Sequence, residues 1–352
     1  MTQRGFFDFE ERLASLSKAG DPLEGLAQTV DFEIFRKSLD KALKYSDRRR
    51  GGRPPHDPVM MFKVLILQAL YDLSDDKAEF MIRDRLSFMR FLGLGLGDVV
   101  PDAKTIWLFR ERLKEKAVIE KLFDRFDRHL EDQGLLALGG QIMDASIIEA
   151  PRQRNNDGEK EAIKAGEIPT DWQDKPAKLR QKDRDARWTM KRGRRKDSQS
   201  QLMVPAFGYK SHINIDQRHG LIRTWTVTNA AAHDGARLPE LLDHNNFSSK
   251  VWADTAYRSN RNEELMEKRG RKSMVHFRRK PGKDLTHQQK RANAARSKIR
   301  SKVEHVFAHQ KSRTRLFIRS IGIDRARFRI GMANIVYNMQ RMLWLEKQQA
   351  KM

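Results

Sequence analysis

A single change in hydrophobic pattern, near residue 138, constrains the fold of this 352-residue chain more than any other feature. Before this point apolar residues recur at helical spacing, and the most apolar run, residues 59–71, is typical of a buried helix. After it, apolar and polar residues alternate in short runs, as they do in strands. We therefore expect an all-helical domain over residues 1–136 and an α/β domain over residues 137–352.

The α/β domain contains five runs with a strand-like pattern. They span residues 141–148, 203–216, 221–228, 250–254 and 273–277. Helical spacing returns at about residues 287–311 and 324–347, so the order of elements predicts a mixed five-stranded sheet with helices. An insertion at about residues 152–201 is polar and basic, and we expect it to lie on the surface without a core of its own.

The helical domain has the features of a DNA-binding module. Its short helices follow capping residues and are joined by tight turns, as in helix-turn-helix proteins. One helix begins after Pro101-Asp102, and its outward face carries Lys104 and Arg110 as candidate DNA contacts. The alternative is a helical domain whose charged residues are simply solvated.

The balance of charge favours a polyanionic partner. The chain has 70 Lys and Arg residues against 47 Asp and Glu residues, a net charge of +23. Residues 268–302, the basic block, contain fourteen Lys or Arg residues and one acid, Asp284. Because such a block binds phosphates and releases counterions, we expect a nucleic acid as the partner, and the features of the helical domain favour double-stranded DNA.

Several classes of protein are excluded by composition. The chain has no cysteine, which excludes disulfide scaffolds, Cys-ligated zinc, iron–sulfur clusters and thiol nucleophiles. The N-terminal sequence has no signal-peptide core, and no apolar run reaches the ~20 residues of a membrane span, so a bacterial cytoplasmic protein is expected. The glycine-rich segment 93–98 lacks the preceding strand and the basic residue of a phosphate-binding loop, which argues against a nucleotide cofactor.

Three acids are placed where chemistry is expected. Asp144 follows the apolar start of the first strand run, Asp254 ends the fourth, and Glu304 lies in a very basic helix. Together these carboxylates are able to hold two Mg²⁺ or Mn²⁺ ions about 4 Å apart, an arrangement that stabilises both oxygens of a phosphodiester displacement. Each acid also has a structural alternative: the two aspartates as turn residues at strand ends, and Glu304 as an ion-pair partner of Arg300 or His305.

An ordered set of short motifs extends over nearly the whole chain. It consists of Gly52-Arg-Pro-Pro-His-Asp-Pro58, Leu73-Ser-Asp-Asp76, Arg90-Phe-Leu-Gly-Leu94, Met143-Asp144-Ala145-Ser146, Phe207-Gly-Tyr-Lys210, Ala253-Asp254-Thr-Ala-Tyr257 and Arg300 with Glu304 and Lys311. This set resembles the DDE transposases of bacterial insertion sequences, in the insertion-sequence-five group. The resemblance implies a ribonuclease-H-like catalytic domain, a metal-binding Asp-Asp-Glu triad, and cutting and joining of DNA at terminal inverted repeats.

The resemblance also assigns individual residues. Asp144, Asp254 and Glu304 match the triad, and Arg300 and Lys311 match the basic partners of the glutamate, where they would hold phosphates. Ser297 stands where the family's signature usually has Tyr. By analogy, the joining of two DNA ends implies a homodimer.

Other candidate DNA contacts lie in and beside the insertion. Lys210, in one of the motifs, and Arg187 are candidates for phosphate binding. Trp188 lies among basic residues and would either stack on an unpaired base or anchor the insertion to the sheet. His233-Asp234-Gly235 is another recurrent family stretch, for which we expect Asp234 to cap a helix rather than contact substrate.

Two other functions compete with a transposase. One is a ribonuclease-H-like nuclease that cuts without joining, although a separate helical DNA-binding domain argues against it. The other is a non-catalytic DNA-binding regulator, although all three acids are present.

Overall fold

Residues 8–44, 54–194, 201–279 and 281–351 are described by the structure, a computed structural model, and they divide into two units. The first unit takes its residues from Met1–Leu135, Ser312–Arg315 and Gly331–Met352, and the second from Leu136–Lys311 and Leu316–Ile330. Gly52 and Arg53, which begin the first family motif, lie outside the described residues. The assignment of DNA binding to residues 1–136 and of catalysis to residues 137–352 stays a prediction.

Among the described residues, the N-terminal region contains helices and no strands, and helices recur between and after the strands of the second unit. In chain order the α-helices are α1 (Asp8–Lys18), α2 (Pro22–Thr29), α3 (Arg36–Leu43), α4 (Pro58–Tyr71), α5 (Asp75–Asp84), α6 (Leu86–Leu92), α7 (Ala103–Glu115), α8 (Ile119–Asp132), α9 (Asp157–Ala165), α10 (Thr170–Gln173), α11 (Pro176–Gln181), α12 (Leu238–Leu241), α13 (Asn260–Lys268), α14 (His287–Arg300), α15 (Lys302–Ser312) and α16 (Ile323–Gln349). Among the described residues, no helix is both long enough and apolar enough to cross a membrane.

Capping side chains set the starts of several N-terminal helices. Asp57 accepts hydrogen bonds from the first two free amides of α4, Ser74 caps α5, and Asp102 caps α7. Helix α4 is buried on nearly every side, as its continuous apolar sequence predicts, and its Phe62 ring packs 4.7 Å from that of Phe35. These contacts form the core of the first unit.

The second unit is built on one mixed sheet. Its strands are β1 (Gln141–Glu149), β2 (Arg187–Arg194), β3 (Gln201–Asp216), β4 (Ile222–Asn229), β5 (Lys250–Trp252) and β6 (Lys272–Ser273). Strand β1 is antiparallel to β3 and parallel to β5, and β5 is parallel to β6. The helical region followed by a mixed sheet with helices confirms the predicted fold class and is consistent with a ribonuclease-H-like DDE domain.

The long strand β3 changes partners at Gly208. Its first half pairs with β2, and its second half pairs with β1 and β4. Gly208 has φ +152°, and a Cβ there would lie 2.3 Å from the carbonyl oxygen of Ile148, so only glycine fits. The change of pairing partner along β3, from β2 to β1 and β4, therefore requires glycine at position 208.

The insertion differs from the sequence-based expectation in two ways. It contributes β2, so the described sheet has six strands instead of five. It also has a small core of its own, because Trp172 is fully buried and its Nε1 donates to Glu159 Oε1 at 2.6 Å. A single aromatic side chain held by a buried carboxylate organises α9–α11 despite the polar composition.

Candidate active site

The sheet brings the two aspartates to equivalent positions on neighbouring strands. The last residues that pair between β1 and β5 are Ile142 and Trp252. Asp144 lies two residues after Ile142, and Asp254 lies two residues after Trp252. Strand β5 ends at Trp252, so among the described residues no strand residue is paired with Asp144 on that side of β1. Asp144 and Asp254 therefore follow the same paired position of two neighbouring interior strands, at the point where the short parallel strand β5 ends.

Asp254 ends its strand by capping a short 3₁₀ helix, Thr255–Tyr257. Its Oδ1 accepts a hydrogen bond from the Ala256 N–H at 2.8 Å, and its second oxygen remains for another partner. The predicted alternative of a strand-end turn residue is thus correct for Asp254, and it is compatible with cation binding.

Arg300 links the other two acids of the triad. It is the last residue of α14, and its guanidinium donates to Asp144 Oδ2 at 2.5 Å and to Glu304 Oε1 at 3.1 Å. The Asp144 side chain is 17% exposed, whereas that of Glu304, in the first turn of α15, is 62% exposed. The ion pair predicted as the alternative for Glu304 is confirmed with Arg300, and the same cation also reaches Asp144.

Asp144 is the most perturbed carboxylate of the site. Its pKa is raised to about 6, chiefly by burial and to a lesser extent by the negative charges of Asp254 and Asp234. The Arg300 guanidinium and the Ala145 N–H act in the opposite direction without cancelling the effect of burial. The cost of burying the Asp144 charge is therefore only partly offset by its neighbours, and a carboxylate with such a shifted pKa is typical of functional sites.

A second cation lies farther along the same face of β1. Lys311 Nζ donates to Ser146 Oγ at 2.5 Å, and Ser146 is two residues beyond Asp144 on that strand. Burial lowers the pKa of Lys311. Arg300 and Lys311 therefore provide two positively charged groups beside Asp144, where a phosphodiester would need them.

The donor set of the site fits a hard divalent cation. All three triad side chains are carboxylates, and oxygen ligands are those that Mg²⁺ and Mn²⁺ prefer. A positive charge already contacts two of these carboxylates, in the form of Arg300. Within the described residues, no group of three or more acidic or histidine side chains is gathered closely enough to hold a metal ion. The chemistry and charge of these residues thus fit a divalent cation. For the carboxylates of Asp144, Asp254 and Glu304 to bind one ion together, the side chains of Glu304 and Arg300 must move.

The other candidate DNA contacts have partners within the protein. Lys210 Nζ bonds to Asp234 Oδ1 at 2.8 Å and to the Ala232 carbonyl oxygen at 2.7 Å. The Arg187 guanidinium donates to backbone carbonyls, including that of Ile163 at 3.2 Å. The DNA-binding role of both residues stays a prediction.

Trp188 is anchored to the sheet domain. Its ring packs 5.3 Å from that of Phe207, and its Nε1 donates to the Gln153 carbonyl oxygen at 3.3 Å. Trp188 is nevertheless 40% exposed. In the first unit, Lys104 is exposed on α7, whereas both terminal nitrogens of Arg110 bond to Asp75 at 2.7 Å.

Two residues near the triad have roles that the sequence did not predict. Asp234 does not cap a helix, because the cap of the 3₁₀ helix Asp234–Arg237 is His233 and makes no side-chain capping bond. The expectation for Asp234 is therefore wrong, and its carboxylate pairs with Lys210. Tyr257 ends one of the family motifs, and it is fully buried in an apolar cluster with Met143 and Ala253.

Comparison with known families identifies the family of the chain. Residues 138–339, more than half of the chain, match the family model described as "Transposase DDE domain". The chain belongs to the DDE transposases. This transposase is therefore an enzyme, a polynucleotidyl transferase that acts in DNA transposition and binds DNA, and enzymes of this family generally use a divalent metal. Residues 11–112 match a second model, described as "Transposase domain (DUF772)". No solved structure matches the chain.

Proposed function

We propose that the transposase serves a bacterial insertion sequence of the insertion-sequence-five group. In this proposal it binds the terminal inverted repeats, cleaves DNA at the ends, and joins the freed 3′-hydroxyl to target DNA. The observation that carries the proposal is the equivalent placement of Asp144 and Asp254 beyond one strand pair, with Glu304 linked to Asp144 through Arg300.

Asp144, Asp254 and Glu304 are the residues that would hold two Mg²⁺ or Mn²⁺ ions. When bound, such ions stabilise the attacking and leaving oxygens of a phosphodiester displacement. Asp144 is the best placed of the three to hold both ions. It is the triad acid that lies within strand β1, and it is the more buried of the two carboxylates that Arg300 contacts. Arg300 and Lys311 would bind the phosphate oxygens on either side of it.

The chemistry consists of two successive displacements at phosphorus. In the first, a water molecule loses a proton and its oxygen forms a bond to phosphorus, the bond to the 3′ oxygen of the transposon end breaks, and that oxygen takes up a proton. In the second, the freed 3′-hydroxyl loses its proton and its oxygen forms a bond to phosphorus of a target phosphodiester, the bond to the 3′ oxygen of the target strand breaks, and that oxygen takes up a proton. Bonds and protons balance in both steps, and no covalent enzyme intermediate is needed.

Recognition of the ends is assigned to residues 1–136, and we propose that two copies act together on two ends. Lys104 supports this assignment, since it is an exposed cation near the capped start of α7. Changing Lys104 to Gln is expected to lower affinity for end DNA and to reduce the slope of log affinity against log salt by about 1. Lys121→Gln, an equally exposed change on α8, is the control and is expected to leave the slope unchanged. Equal effects of the two changes would argue against a specific contact.

The decisive test uses amide variants of the triad on pre-nicked ends that already carry a free 3′-hydroxyl. Asp144→Asn, Asp254→Asn and Glu304→Gln are expected to bind end DNA as the parent does and to lose joining, since each removes a negative charge that holds the cation. If Asp144→Asn joins such ends at the parental rate, the triad assignment fails. Cleavage without joining by the parent would favour the nuclease, and binding without either reaction would favour the regulator.

A further inference from the structure

A buried hydroxyl without a partner lies beside the aspartates. Tyr257 is fully buried, and within the described residues its hydroxyl makes no hydrogen bond. Buried polar groups are rarely left in this state, because an unmade hydrogen bond is destabilising. Phenylalanine would fill the same apolar space, so the oxygen atom needs a separate explanation.

The surroundings of Tyr257 connect it to both aspartates. Its ring packs in one apolar cluster with Met143 and Ala253, the residues immediately before Asp144 and Asp254. It ends the 3₁₀ helix that Asp254 caps. Because consecutive side chains of a strand point to opposite faces, the ring packs on the face of β1 opposite the Asp144 side chain, next to the point where pairing with β5 ends.

The charges near the hydroxyl make it a hydrogen-bond donor. Burial raises the pKa of Tyr257 well above its usual range, and the negative charges of Asp144, Asp234 and Asp254 raise it further. The phenol thus stays protonated, and the groups around it are carboxylates, which accept hydrogen bonds.

The backbone around Tyr257 is fixed by a buried clamp. The Asn262 side-chain amide donates to the carbonyl oxygens of Tyr257 and Gly235, both at 2.8 Å. At Gly235 a Cβ would lie 2.2 Å from the Ala256 carbonyl oxygen, so the segment that carries Asp234 is pressed against the one that carries Asp254. A residue held this rigidly is able to orient a neighbouring side chain.

We infer that Tyr257 is a positioning residue of the cation site. Its hydroxyl donates a hydrogen bond to the carboxylate of Asp144 when that side chain leaves Arg300, and this bond determines which Asp144 oxygen is turned toward a divalent cation. Carboxylates that bind metals are commonly held by such a second hydrogen bond, and loss of the outer partner typically weakens binding or activity by about 10–100-fold. The inference rests on the proposed function, in that it requires the triad to bind a cation.

The test compares two tyrosines of the same unit in the full-length protein. Tyr209 is also fully buried, but its hydroxyl donates to Asp183 Oδ2 at 2.7 Å. The variants Tyr257→Phe and Tyr209→Phe remove the same atom, one without a partner and one with a partner. Urea unfolding in EDTA measures stability without metal, calorimetric titration measures Mn²⁺ affinity, and joining of pre-nicked ends measures activity.

Opposite results are expected for the two variants. Tyr257→Phe should keep the parental urea midpoint or raise it, weaken Mn²⁺ binding by about 10–100-fold, and slow joining. Tyr209→Phe should lower the urea midpoint and keep the parental Mn²⁺ affinity. Parental Mn²⁺ affinity in Tyr257→Phe would overturn the inference, and so would a urea midpoint lowered as far as in Tyr209→Phe, since the hydroxyl would then have a partner in the metal-free protein.

The same experiment separates failure of the inference from failure of the proposed function. If the parent binds Mn²⁺ and Asp254→Asn does not, the triad binds the cation, and Tyr257→Phe tests the hydroxyl alone. If Asp254→Asn binds Mn²⁺ as tightly as the parent, the proposed cation site is wrong and the inference falls with it.

Discussion

Replacing Asp144 with asparagine is expected to stabilise the metal-free transposase at neutral pH. Burial raises the pKa of this carboxyl from 3.8 to about 6 in the folded protein. Each pKa unit corresponds to about 1.4 kcal/mol, so ionised Asp144 lowers the free energy of unfolding by about 3 kcal/mol. This figure already includes the favourable contact with Arg300, because that contact is one of the causes of the net pKa. Asparagine has a similar shape and carries no charge to desolvate.

The dependence on pH has a definite sign. The folded protein binds the Asp144 proton more tightly than the unfolded chain does, so the associated stability is complete below 3.8 and is lost as the pH rises through about 6. The advantage of Asp144→Asn should therefore be small at about pH 4 and reach its full size at about pH 7. Urea unfolding in EDTA, followed across this range for the parent and the variant, measures the difference.

A matched change elsewhere in the sheet should have the opposite effect. Asp216 is fully buried, and its carboxylate accepts hydrogen bonds from the backbone N–H groups of His219 and Leu221 and from Arg223. Asp216→Asn places an amide donor among these donors and should destabilise the protein by about 1–3 kcal/mol. If Asp144→Asn is no more stable than the parent at neutral pH, or if its advantage does not shrink in acid, the reasoning about burial is wrong.

Three further changes probe other parts of the second unit. Arg300→Gln should tighten Mn²⁺ binding by about tenfold in calorimetry, because two ion pairs of about 0.2–1 kcal/mol each no longer have to be broken. The control is Lys298→Gln, which removes an equal charge from an exposed position and should have little effect on Mn²⁺ affinity. Gly235→Ala should lower stability by about 1–3 kcal/mol in urea, since the new Cβ would meet the Ala256 carbonyl oxygen; parental stability would show that the two segments separate easily. Trp172→Phe should cost about 1–3 kcal/mol of stability by leaving a buried carboxylate without its indole donor, and faster proteolysis within residues 152–186 would report it.

Much of the fold was predictable because local signals and burial agree. Ser74 and Asp102 cap the helices that the sequence places after them, and the alternating runs became strands with bounds close to those expected. The expectation of a strand-end position is confirmed for Asp254, which follows β5, but is wrong for Asp144, which lies within β1. Pairing of an apolar strand is strongly specified when one face is buried.

The remaining features depend on contacts that sequence spacing does not encode. Strand β2 was missed because its apolar residues, Trp188 and Met190, are exposed and lie among basic residues, so no burial signal marks it. The contact between Arg300 and Asp144 joins residues 156 positions apart, whereas its contact with Glu304 spans one helical turn and was foreseen. The unpartnered hydroxyl of Tyr257 likewise becomes visible only when its neighbours are known.

The continuity of β3 limits how the insertion can evolve. Residues 201–207 form the outer ribbon with β2, and the same strand runs on through Gly208 to Ile213, which faces Asp144 across the sheet. The insertion therefore cannot be exchanged as a cassette with two loop ends, because its downstream junction lies within a strand of the catalytic sheet. A deletion there would leave half of β3 as an unpaired edge, which favours aggregation. A displacement of the β2–β3 ribbon would likewise be transmitted along the continuous backbone of β3 to Ile213, the residue paired with Asp144.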